Sequence, residues 1–245
     1  TASVALWRLW QQQGGAQPAV LAGHSLGEYS ALVCAGVLSL ADGVRLVELR
    51  GQLMQDAVPE GTGAMSAIIG LDNDTIIANC AQAEQGEVVS AVNFNSPGQV
   101  VIAGHKAAVE RANVLMKESG AKRALPLPVS VPSHCALMRP AAEKLAETLA
   151  GMNFNAPAVP VINNVDVRAE TDPAAIKDAL VRQLYSPVRW TETVEAMAGQ
   201  GVTLALEVGP GKVLTGLAKR IDKRVEGLAV NDDAGLEQAL AAVKG

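Results

Sequence analysis

Aromatic side chains are scarce in this sequence: three Trp, two Tyr and two Phe among 245 residues. A core without rings must be built from Ala, Val, Leu and Ile, the composition of helices packed on parallel strands, so an α/β fold is expected. Cysteine is nearly absent too. Cys34, Cys80 and Cys135 form no C-x-x-C pair and no regular spacing, which excludes a disulfide framework and a zinc site and points to reduced thiols in a cytoplasm. Basic residues are in deficit, with a net charge of −5, and nucleic acid is therefore not expected as a partner. No apolar run reaches the roughly 18 to 20 residues that span a bilayer, and no signal sequence opens the chain, so a soluble protein away from membranes is expected. Histidines number three, at 24, 105 and 134, which leaves few candidates for a general base.

What is present is hydrophobic patterning throughout, 49% of residues, enough for one large domain or one domain with an inserted module. The segment "TASVALWRLWQQQGG" has helical spacing and stops at Gly14-Gly15; "PAVLAG" is a short apolar strand, "SLGEYSALVCAGVL" a helix, and "SLADGVRLVELRGQLMQDAV" a second helix with Ser39 as N-cap. From residue 61 to 129 the pattern changes to strand, helix, two strands joined at Ser96-Pro97-Gly98, helix, strand. That βαββαβ order is ferredoxin-like and complete in itself, so 61–129 is expected as a small module inserted in a body made of 1–60 and 130–245. The body resumes with a helix at 137–151, a strand in "VPVINNVD", two helices, a strand "VTLALEVG" and two final helices, an alternation that implies a parallel sheet covered on both faces.

The stretch "PAVLAGHSLGEY" sets Ser25 between Gly23 and Gly27, after a strand and before a helix. This is the setting in which a sharp turn holds a serine hydroxyl out at the carboxyl end of a sheet as a nucleophile. The helix N-terminus adds the N–H of Leu26 and a partial positive charge, both suited to an oxyanion. The alternative is a serine that only N-caps its helix. For a base, His24 is better placed to brace the turn than to take a proton from its neighbour, His105 ends a strand beside Lys106 as a surface histidine does, and His134 in "VPSHCALM" sits where the chain leaves the small module. His134 is either the base in a cleft between the two parts or a satisfied core histidine. Asn93 and Asn95 could bond an acyl group or shape their Ser-Pro-Gly turn. Met54, a turn beyond Arg50, could line a pocket or belong to the core. The Gly-Pro-Gly turn of "EVGPGKVLTGL" follows a strand but lacks the Walker spacing.

Together "GHSLGEYSALVCAG", Arg50 in "LVELRGQLMQ", "NFNSPGQVVIAG", "LPVSVPSH" and "EVGPGKVLTGL" resemble the malonyl-CoA:acyl carrier protein transacylases, over essentially the whole chain and in order. The resemblance implies an α/β-hydrolase-like body with a ferredoxin-like insert, a serine acyl-enzyme on Ser25, His134 as base, and Arg50 pairing with the malonyl carboxylate; the alternative for Arg50 is an ion pair with a distant acid such as Glu28 across the first two helices. It implies that His134 is oriented by a backbone carbonyl at the position of Gln183 instead of by an acid. Leu26, His24, Met54 and Asn93 are carried along as substrate-side residues. Malonyl-CoA is then a substrate, acyl carrier protein the second partner, and no cofactor or metal is required; a monomer is expected. The carrier is acidic and this chain net negative, so docking is expected at local cations, Lys122-Arg123 and Lys219-Arg220. The family opens with a strand and a "GQGSQ"-type loop that gives the second oxyanion N–H; nothing here matches it, and a chain lacking its front is the expectation. A thioesterase and a non-catalytic carrier-binding module are the competing readings. Hydrolases of this fold place their histidine near the C-terminus, whereas His134 is mid-chain.

Overall fold

The computed structural model describes residues 1–243. The chain runs α1 (Ala2–Gln12), β1 (Leu21–Ala22), α2 (Leu26–Cys34), α3 (Leu40–Asp56), β2 (Gly63–Ile69), α4 (Asn73–Glu84), β3 (Val89–Ser96), β4 (Gln99–His105), α5 (Lys106–Glu118) and β5 (Arg123–Pro126). A 3-10 turn, Ala136–Met138, leads into α6 (Arg139–Ala150), β6 (Val161–Ile162), α7 (Pro173–Gln183), α8 (Trp190–Gly199), β7 (Leu204–Val208), α9 (Val213–Ile221), β8 (Glu226–Val230) and α10 (Asp233–Ala242). Helix starts follow their caps. Ser39 accepts from the N–H of Asp42 at the start of α3, Asp72 from Thr75 before α4, and Asp172 from Ala174 and Ala175 before α7.

The segment from β2 to β5 forms a four-stranded antiparallel sheet in the order β3-β4-β2-β5, with α4 and α5 packed against it. Numbered within the segment, that order is the 4-1-3-2 of a ferredoxin-like unit. Alternation along β4 sorts its two faces: Val100 and Ile102 enter the core under α4 and α5, while Val101 and Ala103 pack with Met65, Val92 and Cys135 toward the rest of the chain. The second face carries Cys135, the neighbour of His134, so the sheet's back is the surface against which that histidine's segment is laid. Elsewhere the main core is where α2, α3, α6 and α7 meet, with Leu46, Met138, Leu145, Leu149 and Leu180 almost fully enclosed.

Two sequence expectations need correction. The parallel strands of the body form two separate two-stranded sheets, β1-β6 and β7-β8, rather than one. Between β1 and β7 lies an apolar cavity of about 460 Å3, lined among others by Leu21, Ala22, Trp190 and Leu206, across which neither strand edge is paired with the other. The strand β8 was also not expected. "EGLAV" is short and broken by Glu226 and Gly227, yet it pairs in parallel with β7 over five residues. Gly227 is needed there because a Cβ would press on Thr215 of α9.

Candidate active site

The turn from β1 to α2 places Ser25 at φ 52° and ψ −106°, a left-handed backbone that a non-glycine residue adopts only where its surroundings hold it. They hold it here on both sides. The N–H of Ser25 donates to Asn164 Oδ1 (2.7 Å), whose own Nδ2 donates to the carbonyl of Gly23 (2.7 Å), and the Ser25 carbonyl accepts from Gln183 Nε2 (3.1 Å). Gly23 is obligatory for closeness: a Cβ on it would land on the main chain of Gly27 and Glu28. Gly27 has open space at its own Cβ, so it serves by being the surface that Gly23 meets.

The hydroxyl faces its base. Ser25 Oγ lies 2.8 Å from His134 Nε2, and His134 Nδ1 donates to the main-chain oxygen of Gln183 at 2.7 Å. Because a carbonyl only accepts, Nδ1 carries the proton and Nε2 presents its lone pair to the serine. Gln183 is the last residue of α7, one of the carbonyls a helix C-terminus leaves without an intrahelical donor, and the next one, Leu184 O, takes the His134 N–H at 3.0 Å. The partial negative charge of that helix end also favours a proton on the ring. Burial works the other way and dominates: with Arg50 adding repulsion, it lowers the imidazole to about 3, the Gln183 carbonyl opposing, so His134 is a neutral base at physiological pH.

Arg50 points inward from α3, 6% exposed, whereas Arg45 five residues earlier is in solvent. Its Nη2 donates to Ser25 Oγ (2.9 Å) and to Gln183 Oε1 (3.2 Å), and its buried Nε has no partner. Among the described residues no acid forms an ion pair with it; Glu28 comes near only through the Gln183 amide, which donates to Glu28 Oε2 at 2.9 Å. A guanidinium beside the serine oxygen with no acid paired to it is chemically able to bind an anionic group. In the first turn of α2 the N–H groups of Gly27 and Glu28 bond to the carbonyls of His24 and Ser25, and that of Leu26 has no partner among the described residues.

The remaining candidates separate. His24 braces the turn: its Nε2 is 2.8 Å from Asn95 Oδ1, its ring lies 5.5 Å from Trp190, and burial lowers its pKa. Asn95 is thus the asparagine that reaches the elbow. Asn93 sits at a bulge in β3, bridged to Val188, with a buried Oδ1 lacking a partner. Met54 is buried in the main core with Leu46 and Tyr29 and does not itself line the apolar cavity, which supports its core reading. His105 accepts from the N–H of Val88 at the far end of β4. Lys122, Arg123, Lys219 and Arg220 are all exposed; Arg220 bonds to Gln99 (3.0 Å), and Lys122 lies over Gly70, whose N–H reaches Gly98. Both pairs therefore sit at one end of the small sheet, the end carrying Asn95. Asn164 is the residue that sequence reasoning missed as a site member; Glu28 entered it only as an alternative partner for Arg50. Glu28 stands in the motif itself, three after the serine, while nothing local marks Asn164.

With this geometry in hand, the match to known proteins is decisive: residues 1–238 fit the model of the acyl transferase domain. The chain belongs to the acyl transferase family. It is 70% identical over 240 residues to the malonyl CoA-acyl carrier protein transacylase of Salmonella typhimurium, covering 98% of this chain and 78% of that one. The crystal structure of an acyl carrier protein S-malonyltransferase from Vibrio cholerae is 74% identical and superposes with a TM-score of 0.95, over 97% of this chain and 78% of the other. A malonyl-transacylase solved in complex with a type II PKS acyl-carrier protein is 65% identical, with a TM-score of 0.97 over 98% and 78% of the two chains. These solved relatives thus share the α/β architecture seen here.

Proposed function

We infer that this chain transfers a malonyl group from malonyl-CoA to the phosphopantetheine thiol of acyl carrier protein, through an ester on Ser25. The observation that carries the reading is Arg50 Nη2 2.9 Å from the same oxygen that lies 2.8 Å from the His134 base. His134 Nε2 takes the Ser25 proton as Oγ attacks the thioester carbon; the oxyanion faces the Leu26 N–H. The C–S bond breaks and the CoA thiol leaves with the proton from His134. In the second half the carrier's thiol gives its proton to His134, sulfur attacks the ester carbon, and Ser25 recovers its hydrogen. The malonyl carboxylate is held by Arg50 throughout, which keeps one orientation over Ser25. A hydrolase reading lacks support at Arg50, because a general esterase has no substrate anion for it to bind. Mixing the protein with malonyl-CoA should give a malonyl adduct by intact mass, discharged by holo-carrier into malonyl-carrier; release of free malonate instead would favour the hydrolase. We propose a cytoplasmic monomer; the three cysteines, none of them in a disulfide, support a reducing compartment.

Arg50→Ala is expected to lower kcat/KM for malonyl-CoA by about 100-fold, the loss of one charge-assisted pair, while acetyl-CoA is used relatively better. Equal losses for both substrates with a fallen Tm would make Arg50 structural.

For the carrier we propose docking at Lys122, Arg123, Lys219 and Arg220, supported by their shared exposure at the end of the small sheet that carries Asn95. Reversing charge at Lys122 and Arg123 should raise KM for the carrier, more at low salt, with little change for malonyl-CoA. A KM independent of salt would remove the steering.

A further inference from the structure

Glu28 is buried at the centre of the network around Ser25, and the mechanism above makes no use of it. Its Oε2 accepts from Gln183 Nε2 (2.9 Å) and from the N–H of Asn164 (3.0 Å). Those two partners are the ones that hold the elbow, through the Ser25 carbonyl and the Ser25 N–H. Gln183 also touches the other two members, with Oε1 on Arg50 and its main-chain oxygen on His134. A carboxylate can only accept, so Glu28 dictates which way the Gln183 amide points: NH2 toward itself, oxygen toward Arg50. One neutral amide thus stands between a buried anion and a buried cation. A direct ion pair would occupy Arg50, whereas the bridge leaves the guanidinium free for substrate and sets the negative charge behind His134.

We propose that Glu28 is a positioning residue whose carboxylate charge, set behind the Gln183 bridge, favours the imidazolium that His134 becomes on taking the serine proton. It would then do the electrostatic work of a triad aspartate without touching the ring. The inference rests on the acyl-transfer reading only in taking Ser25 as nucleophile. His134 needs such support, since burial holds its ring down at about 3. Burial also raises the Glu28 carboxyl to about 7, against the bonds from Gln183 and Asn164 and the pull of Arg50. The groups facing it are Arg50 from α3, Asp166 after β6, itself tied to Arg182 of α7 at 2.7 Å, and Tyr29 on its own helix.

The test reads serine reactivity without any substrate carboxylate. Phenylmethanesulfonyl fluoride is uncharged: Oγ forms a bond to sulfur, fluoride leaves, and the serine proton passes to His134. Corrected for reagent hydrolysis, the inactivation rate of the unaltered protein should rise with pH through a midpoint at about 7, the position to which Glu28 is raised. Glu28→Gln keeps both hydrogen bonds, as both fall on one oxygen that an amide oxygen replaces, and removes the charge. It should react about tenfold more slowly above the midpoint and lose the rise, while Glu28→Asp keeps the rise. Folding is not the cause of such a loss. The folded state binds the Glu28 proton more tightly than the unfolded one, so stability falls as pH rises from 4.5 to about 7, and Glu28→Gln should melt no lower than the unaltered protein above that window. A flat profile for the unaltered protein between about pH 6 and about pH 8, or a Glu28→Gln variant with the same rate and the same rise, overturns the proposal. The first of these needs no variant to fold. Sulfonylation that behaves as expected in a protein forming no malonyl adduct would keep Glu28 in this role and remove the malonyl reading instead.

Discussion

Ser25→Ala should yield a folded protein that forms no malonyl adduct with malonyl-CoA by intact mass and passes no malonyl group to carrier protein. The ester cannot form without Oγ, and no other hydroxyl within the site's hydrogen bonds takes its place: the groups around it are His134 Nε2, Arg50 Nη2, Asn164 and Gln183. The effect on stability should be small beside the loss of activity. Losing the hydroxyl leaves the His134 and Arg50 nitrogens one partner short, which costs about 1–3 kcal/mol, or a few degrees in Tm for a chain of this size. The main chain of Ser25 keeps its bonds to Asn164 and Gln183, so the turn persists. A retained adduct in Ser25→Ala would end the assignment of the nucleophile.

His134→Ala is expected to slow acylation by about 10⁴-fold or more, with His105→Ala as the control that leaves transfer nearly unchanged. The two histidines differ in what their ring nitrogens face. His134 is 3% exposed, with one nitrogen on Ser25 and the other on the Gln183 carbonyl; His105 Nδ1 accepts a main-chain N–H within the small sheet. His105→Ala should therefore cost about 1 kcal/mol of stability and no proton transfer. Pre-steady-state release of CoA measures the acylation step directly, and equal losses in both variants would mean that the base lies elsewhere.

Much of the site was legible before any coordinates, and the reason is local. A Gly-x-Ser-x-Gly between a short apolar strand and a helix has few backbone solutions, so spacing alone carried the elbow; capping at Ser39, Asp72 and Asp172 is likewise decided within four residues. Arg45 and Arg50, five apart on one helix, point in different directions by helical period. The βαββαβ order needed only strands and helices long enough to show their periods. Where elements are short their pairing could not be read. β1 and β6 are two residues each and β8 carries a glutamate and a glycine, so neither alternation nor an apolar run announced how these strands would pair.

Residue types and chain-local spacing determined a candidate serine on a tight turn, few possible bases and a mixed α/β fold, because each depends on neighbours within a turn or two. Only tertiary structure decided what those groups do to one another. Asn164 reaches the Ser25 main chain across 139 positions, and Gln183 reaches Glu28 across 155. Such contacts have no period to betray them; they arise when α7 packs on α6 in the core shared with α2 and α3, and its buried C-terminal carbonyls meet a histidine that follows the edge strand of the small sheet. Burial then sets the protonation of His134 and Glu28, a property of the enclosed volume that no stretch of sequence contains.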